Sequence, residues 1–393
     1  MSQSVGASNS RRGIVGLAVL MAFPIAADEA YRFLMQLYLK GLGASPFVIA
    51  LGTSLCWLGI FVGSALWGGL SDRRAKRALL AVLLIGGAAM MLSMATLPTT
   101  STALVFVFVR VLFISGIAPI ILGIQSNRST LEDRGRNLAI LSAVRSVGFA
   151  VGSMLAGLTL ERLGFRSAFA LLSTLPIIAI LGLLSIEGEN QSARKQPRRP
   201  RSIPWSLPVL SLYVGVVLRQ MGNTGTRSLI YVFMATLGIG TATMGALNAV
   251  NPLVQILAML GFGWLADRIG RRQIFLLGFA LSVVSTALFA VSSGIVGMAI
   301  AYSIIGIAFP ALFVGSTAFI GDAVSSDRQG AMIGLFESSR GLGGVLGPLL
   351  AGLLVPVLGF RGMIGVMAGC AAVGFVIVLV GTRTVARPNP VAD

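Results

Sequence analysis

The sequence predicts an all-α membrane protein of twelve transmembrane helices, arranged as two pseudo-symmetric six-helix bundles. Three observations carry this. Hydrophobic residues make up 55% of the 393-residue chain and charged residues only 11%, where a soluble domain carries about 25% charged residues. Twelve segments stay apolar over the ~20 residues that a helix needs to cross a bilayer. Distinctive residues also recur at one fixed separation between the two halves of the chain. The apolar runs are long and do not alternate, which selects helices over barrel strands.

In order, the predicted spans are 14–39, 46–70, 78–97, 102–124, 137–160, 166–186, 208–236, 242–265, 272–292, 295–320, 331–357 and 361–381. The first is too long for a cleaved leader and holds Asp28 and Glu29, so it is read as part of the bundle. Between spans six and seven, positions 187–207 are rich in proline and arginine, the composition of a polar linker. The predicted organisation is a first bundle over 1–186, a linker over 187–207 and a second bundle over 208–393.

Charge orients this map. Of the 30 Lys and Arg residues, 20 fall on the side of the N-terminus, four (Lys40, Arg162, Arg166, Arg361) on the other side and six within the spans. By the positive-inside rule both termini are cytoplasmic. The net charge of +17 is then largely a matter of topology, and no nucleic-acid partner is expected. The chain has no histidine, and its two cysteines, Cys56 and Cys370, lie inside apolar runs. No Gly-Lys pair occurs, so a phosphate-binding P-loop is absent. These features argue against an enzyme, an ATP-driven pump, a metal site or a bound cofactor.

The repeat is exact in register. Asp72 and Asp267, Arg145 and Arg340, Gly157 and Gly352, and Phe165 and Phe360 are each 195 apart, as are Arg32 and Arg227. Leu163–Arg166 and Leu358–Arg361 both read Leu-Gly-Phe-Arg. Parallel repeats of this kind place a binding site near the midplane between the halves and work by alternating access.

Gly68–Arg77 (GGLSDRRAKR) and Gly263–Arg272 (GWLADRIGRR) carry a resemblance. The second copy is complete at Gly263, Leu265, Asp267, Arg268, Gly270, Arg271 and Arg272, whereas the first has Ala75 in place of the glycine. With Glu132–Arg136 (EDRGR), these segments resemble the loop signatures of the major facilitator superfamily, closest in look to its bacterial drug and sugar efflux branch. The resemblance covers nearly the whole chain. It implies a secondary transporter of a small molecule in a prokaryotic cytoplasmic (inner) membrane, working as a monomer. Asp72, Arg73, Arg134, Arg136, Asp267, Arg268, Arg271 and Arg272 are candidates for a cytoplasmic gate. An aspartate there can accept bonds from helix N–H groups and a neighbouring arginine, forming a latch that holds one state and releases in the other.

Ionisable groups inside a bilayer are costly and mark function by default. In span one, Asp28 and Glu29 both lie within reach of Arg32 at helical spacing. With Glu337, these are the candidates for proton coupling, and the sequence does not choose between Asp28 and Glu29. The substrate-binding candidates are Arg32, Arg110, Arg145, Arg219, Gln220, Asn223, Arg227, Tyr302 and Arg340. Gln220, Asn223 and Arg227 share one face of span seven, with Arg219 beside them; Arg110, followed by Gly116, resembles the family's arginine of helix four. Asp322 is assigned to the inner rim. Six intramembrane arginines face only Asp28, Glu29 and Glu337, an imbalance that calls for an anionic or strongly hydrogen-bonding substrate.

Glycines cluster in spans five (Gly148, Gly152, Gly157) and eleven (Gly343, Gly347, Gly352), a pattern for close helix packing. Ser153 stands where the family's antiporters have a proline. The reading from these residues is a proton-coupled secondary transporter of a small organic solute, efflux slightly favoured. Uptake of an organic anion with a proton, lipid flipping and a non-transporting sensor are the alternatives.

Overall fold

The computed structural model describes residues 2–71, 74–128, 134–186, 206–323 and 329–383. Their helices are α1 (Ser2–Gly41), α2 (Pro46–Ser71), α3 (Lys76–Ser93), α4 (Thr100–Ile114), α5 (Ile117–Arg128), α6 (Arg134–Leu172), α7 (Thr174–Ala179), α8 (Leu207–Ser228), α9 (Ile230–Thr236), α10 (Thr241–Ile269), α11 (Arg271–Val291), α12 (Ile295–Ala323) and α13 (Gln329–Gly381). No strand occurs among the described residues. A backbone immersed in lipid satisfies its N–H and C=O groups within each helix, so this is the fold the composition demands.

Nine helical stretches are long and apolar enough to cross a membrane among the described residues. Two of them, Ala139–Ser185 (47 residues) and Met332–Gly381 (50 residues), have the length of two crossings each. The backbone turns between those crossings at Gly164 (φ 73°) and Gly359 (φ 67°). Helices α8 and α9 together supply the remaining span, so the twelve predicted crossings are all present.

The repeat is visible in the backbone. Pro46 and Thr241, Lys76 and Arg271, and Thr100 and Ile295 each begin a helix and are 195 residues apart. The left-handed glycines pair in the same way: Gly43 (φ 75°) with Gly238 (φ 73°), and Gly164 with Gly359. Only glycine reaches that region without a Cβ penalty. The symmetry fails where the sequence does. Gly270 has φ 98°, whereas its counterpart Ala75 turns with extended backbone at φ −60°, ψ 115°. Span one is one helix through this region, but span seven breaks at Leu229 (φ −128°, ψ 9°).

The chain divides into two compact units. The first contains Met1–Pro197 with Ile230–Ile256, and the second Arg198–Leu229 with Leu257–Asp393. In the first, Leu17, Leu20, Leu80, Leu83, Ile121 and Leu141 form the apolar core. In the second, Leu212, Val216, Phe275, Phe279, Phe336 and Val378 do so. Glycines let the helices meet backbone to backbone. A Cβ on Gly152 of α6 would overlap the carbonyl of Ala26 in α1, and one on Gly347 of α13 would overlap the carbonyl of Met221 in α8. The outer surface carries exposed large apolar side chains such as Leu184, Leu257 and Val357, as a lipid-facing surface requires.

Candidate functional site

In the first unit the charged side chains converge on Asp28, which is 4% exposed. Its Oδ2 accepts bonds from Arg32 Nε (3.0 Å) and Nη2 (2.7 Å), one helical turn along α1. Its Oδ1 accepts a bond from Arg110 Nη1 at 2.9 Å, from 82 residues away on α4. Arg110 is fully buried, and its guanidinium carbon lies 4.1 Å from the ring centre of Tyr31. One carboxylate therefore serves two guanidiniums. Charge-assisted bonds of this geometry are strong in a low dielectric, and breaking one side of the arrangement exposes an uncompensated cation.

Glu29 behaves differently. Its Oε1 accepts a bond from Asn248 Nδ2 of α10 at 2.7 Å, both residues belonging to the first unit. The two acids that are equivalent by sequence thus have distinct partners. Asn248 and Asn251 are buried polar residues at a helical spacing of three. Sequence reasoning followed charges and passed over them, although two asparagines before Pro252 in an apolar run were the signal. Arg145 of α6 lies over the ring of Phe149 with 5.8 Å between guanidinium carbon and ring centre.

In the second unit, Arg219 of α8 is 1% exposed. Its Nε donates to Ser282 Oγ of α11 at 2.9 Å, and its Nη1 contacts Gln220 Oε1 at 3.4 Å. Ser282 also donates to the Gly278 carbonyl at 2.7 Å, so its oxygen is aimed by its own helix. Gln220 is buried, while Asn223 and Arg227 are half-buried on the same helix. Arg340 of α13 pairs with Glu337, Nη1 lying 2.8 Å from both carboxylate oxygens, and stands 5.4 Å from the ring centre of Phe309. Tyr302 is fully buried with its ring 5.0 Å from that of Phe289.

At the rim, Arg272 donates from Nε to Thr382 Oγ1 and from Nη2 to the Leu379 carbonyl, both at 3.0 Å. It holds the last turn of α13, a favourable place for a cation at a helix C-terminus. Arg268 and Arg271 are exposed. Asp72, Arg73, Glu132, Asp133 and the linker over 187–205 lie outside the described residues, as do the side chains of Arg134, Arg136, Asp267 and Asp322. Among the described residues no cluster of His, Cys, Asp and Glu suits a metal ion.

A second feature of the first unit escaped the sequence. Glu161 Oε2 of α6 accepts the backbone N–H of Ala242 at 2.7 Å, and Thr241 Oγ1 lies 3.3 Å from the same oxygen. The carboxylate caps the first turn of α10, whose N–H groups have no partner within the helix. Ser153 Oγ bonds back to the Phe149 and Ala150 carbonyls at 3.1 and 3.0 Å, which can bend a helix mildly where a proline would kink it.

Comparison with known proteins agrees with this architecture. A sequence profile described as Major Facilitator Superfamily matches residues 17–214 and again 212–392. Curated proteins described as multidrug resistance protein MdtG, from Citrobacter koseri and Salmonella paratyphi A, are 23% and 24% identical over 360 residues, spanning 88% of this chain and 88% of theirs. Among solved structures, a bacterial homolog of the human lysosomal transporter Spinster superposes with TM-score 0.82 at 12% identity, over 94% of this chain and 96% of that one. The nucleoside transporter NupG does so with TM-score 0.75 at 14% identity, over 94% and 99%. At such identities the two structures speak for the fold alone.

Proposed function

Starting from the premise that this chain belongs to the major facilitator superfamily, a family of membrane transporters rather than enzymes, we propose that it couples the movement of a small organic solute to a proton by alternating access. The observation that carries the coupling is the carboxylate of Asp28 held between Arg32 and Arg110. A proton on Asp28 removes the charge that binds both guanidiniums, and loss of the proton restores the three-membered cluster. The two arrangements favour oppositely facing states, which ties proton movement to the crossing of the solute. Glu29, bonded to Asn248, positions α1 against α10, and Glu337 serves Arg340. The solute contacts are drawn from Arg32, Arg110, Arg145, Arg219, Gln220, Asn223, Arg227, Tyr302 and Arg340.

Efflux is the favoured direction, supported by relatives described as multidrug resistance proteins. The chain lies in a bacterial inner membrane with cytoplasmic termini, acts as a monomer, and moves its two halves about the 187–207 linker. The paired aspartates Asp72 and Asp267, with their neighbouring arginines, latch the cytoplasmic side. Uptake of an organic anion with a proton is the second reading, favoured by the surplus of intramembrane arginine.

The test is solute-driven proton movement in proteoliposomes over a panel of organic acids, sugars and hydrophobic cations. Antiport moves protons opposite to the solute, symport moves them with it, and a sensor moves none. Asp28→Asn is expected to abolish proton movement while solute exchange between the two sides persists. Proton movement at the wild-type rate in that variant would remove Asp28 from the coupling step.

A further inference from the structure

The two units differ in how their buried arginines are neutralised. In the first, Asp28 serves both Arg32 and Arg110. In the second, Arg219 is just as deeply buried but no carboxylate pairs with it among the described residues. Its contacts are a serine hydroxyl and an amide oxygen, and its Nη2 has no partner. The sequence shows why. Asp28 and Glu29 correspond, 195 residues on, to Asn223 and Thr224. The second copy has therefore lost both acids, and it has gained Arg219 where the first copy has Pro24 (219−195 = 24).

Among the described residues, Glu337 of the same unit does not repair the imbalance. Glu337 gives both its oxygens to Arg340 Nη1. Arg340 itself keeps a buried Nε without a partner and lies three residues before Gly343, where an added Cβ would come within 2.8 Å of the Cβ of Gln220, the neighbour of Arg219. Arginine does not shed its proton inside a protein. A buried guanidinium facing a second positive charge, with one N–H group idle on each, is unfavourable until an anion joins them.

We propose that Arg219 Nη2 and Arg340 Nε form an anion site in the second unit, one that takes a small monovalent group, either a halide ion or the carboxylate of a solute. The Asp28 cluster has a carboxylate of its own, although Arg110 there also keeps Nε and Nη2 without partners. The site at Arg219 assigns recognition of the anionic group to α8 and α13 and leaves α1 and α4 to the proton. For its role in transport the assignment rests on the reading above, but its test needs neither flux nor a gradient.

The experiment is thermal unfolding of the purified full chain in detergent, with isethionate, a bulky sulfonate, replaced by chloride or by acetate at fixed ionic strength. At least one of the two is expected to raise the unfolding midpoint by about 2 °C at ten times its half-effect concentration. Chloride alone acting identifies an inorganic co-ion, and acetate acting identifies a solute carboxylate. Arg219→Gln is expected to lose the effect and to unfold at a higher temperature than the wild type in isethionate, because the uncompensated charge is gone. If Arg219→Gln does not fold, Arg340→Gln carries the test, with a half-effect concentration raised at least tenfold. Arg361→Gln, a surface arginine bonded to the Ala290 carbonyl, serves as the control and keeps the wild-type response. The proposal is overturned if neither anion shifts the midpoint, or if the shift survives in Arg219→Gln or is undiminished in Arg340→Gln. Such a result leaves proton-coupled transport standing, just as failure of proton movement would leave this site standing.

Discussion

Asp28 and Glu29 are adjacent in sequence and equal in chemistry, yet their substitution should have unequal effects. Asparagine at 28 would leave the fully buried Arg110 without a carboxylate, a loss of roughly 3–5 kcal/mol by analogy with broken buried pairs. Glutamine at 29 keeps an amide oxygen for the 2.7 Å bond from Asn248. Asp28→Asn should therefore unfold at a clearly lower temperature than Glu29→Gln, and adding Arg110→Gln to Asp28→Asn should recover part of the loss. A double-mutant cycle in thermal unfolding measures that coupling; additive losses would mean that the pair does not interact. The spacing of four within one helix made Asp28 and Arg32 legible as a pair in the sequence. Arg110 joined them only in three dimensions, since nothing local links a residue to a partner 82 positions away. Asn248 was missed because it is neutral, and an uncharged amide in an apolar helix leaves a faint trace.

At the scale of the helix, packing depends on the absence of side chains. Gly152→Val and Gly347→Val each drive a branched side chain into the carbonyl of the facing helix, Ala26 in one case and Met221 in the other. Both variants should lose most of the folded, monodisperse protein on size exclusion. Gly68→Ala and Gly123→Ala, where the added carbon meets nothing, should keep it. Gly164→Ala and Gly359→Ala should cost about 1 kcal/mol each, because both place a Cβ on a left-handed backbone at matched positions of the repeat. Unequal midpoint shifts for this pair would argue against equivalent turns. The cap on α10 tests a subtler effect. Glu161→Ala should lower the midpoint, and Glu161→Gln should restore most of it, since either side chain can accept the Ala242 N–H. Hydropathy located the helices well because lipid imposes long apolar runs. It did not locate the break at Leu229, where no proline or glycine interrupts residues 226–232 and packing alone fixes the local conformation.

For the molecule as a whole, the sequence carried more than its composition suggested. The separation of 195 found in a handful of residues reappears in helix starts and in left-handed glycines that were not used to find it. Repetition of backbone geometry at a fixed offset follows from duplicated hydrophobic runs and turn residues. Among the charges inside the spans, Arg32 and Arg145 follow the duplication as Arg227 and Arg340, whereas Asp28, Glu29, Arg110, Arg219 and Glu337 have no charged counterpart, and there the two copies diverge. Orientation is the global property open to the most direct check. In a background of Cys56→Ser and Cys370→Ser, Lys40→Cys should react with an impermeant thiol reagent only from outside the cell, and Arg77→Cys only from the cytoplasmic side. Both positions are exposed, so the reverse pattern would invert the topology drawn from the 20-to-4 bias of lysine and arginine.

That no carboxylate pairs with Arg219 among the described residues bears on energetics beyond the site itself. If a solute's negative charge is held there and leaves the cell as a proton enters at Asp28, each cycle moves two elementary charges in the same electrical sense. The membrane voltage then contributes about 4.6 kcal/mol per cycle at 100 mV, on top of any pH difference. If the same two ions travel inward together, their charges cancel and voltage contributes nothing. Clamping proteoliposomes with potassium and valinomycin would therefore read the direction of transport from the current, before the physiological solute is known.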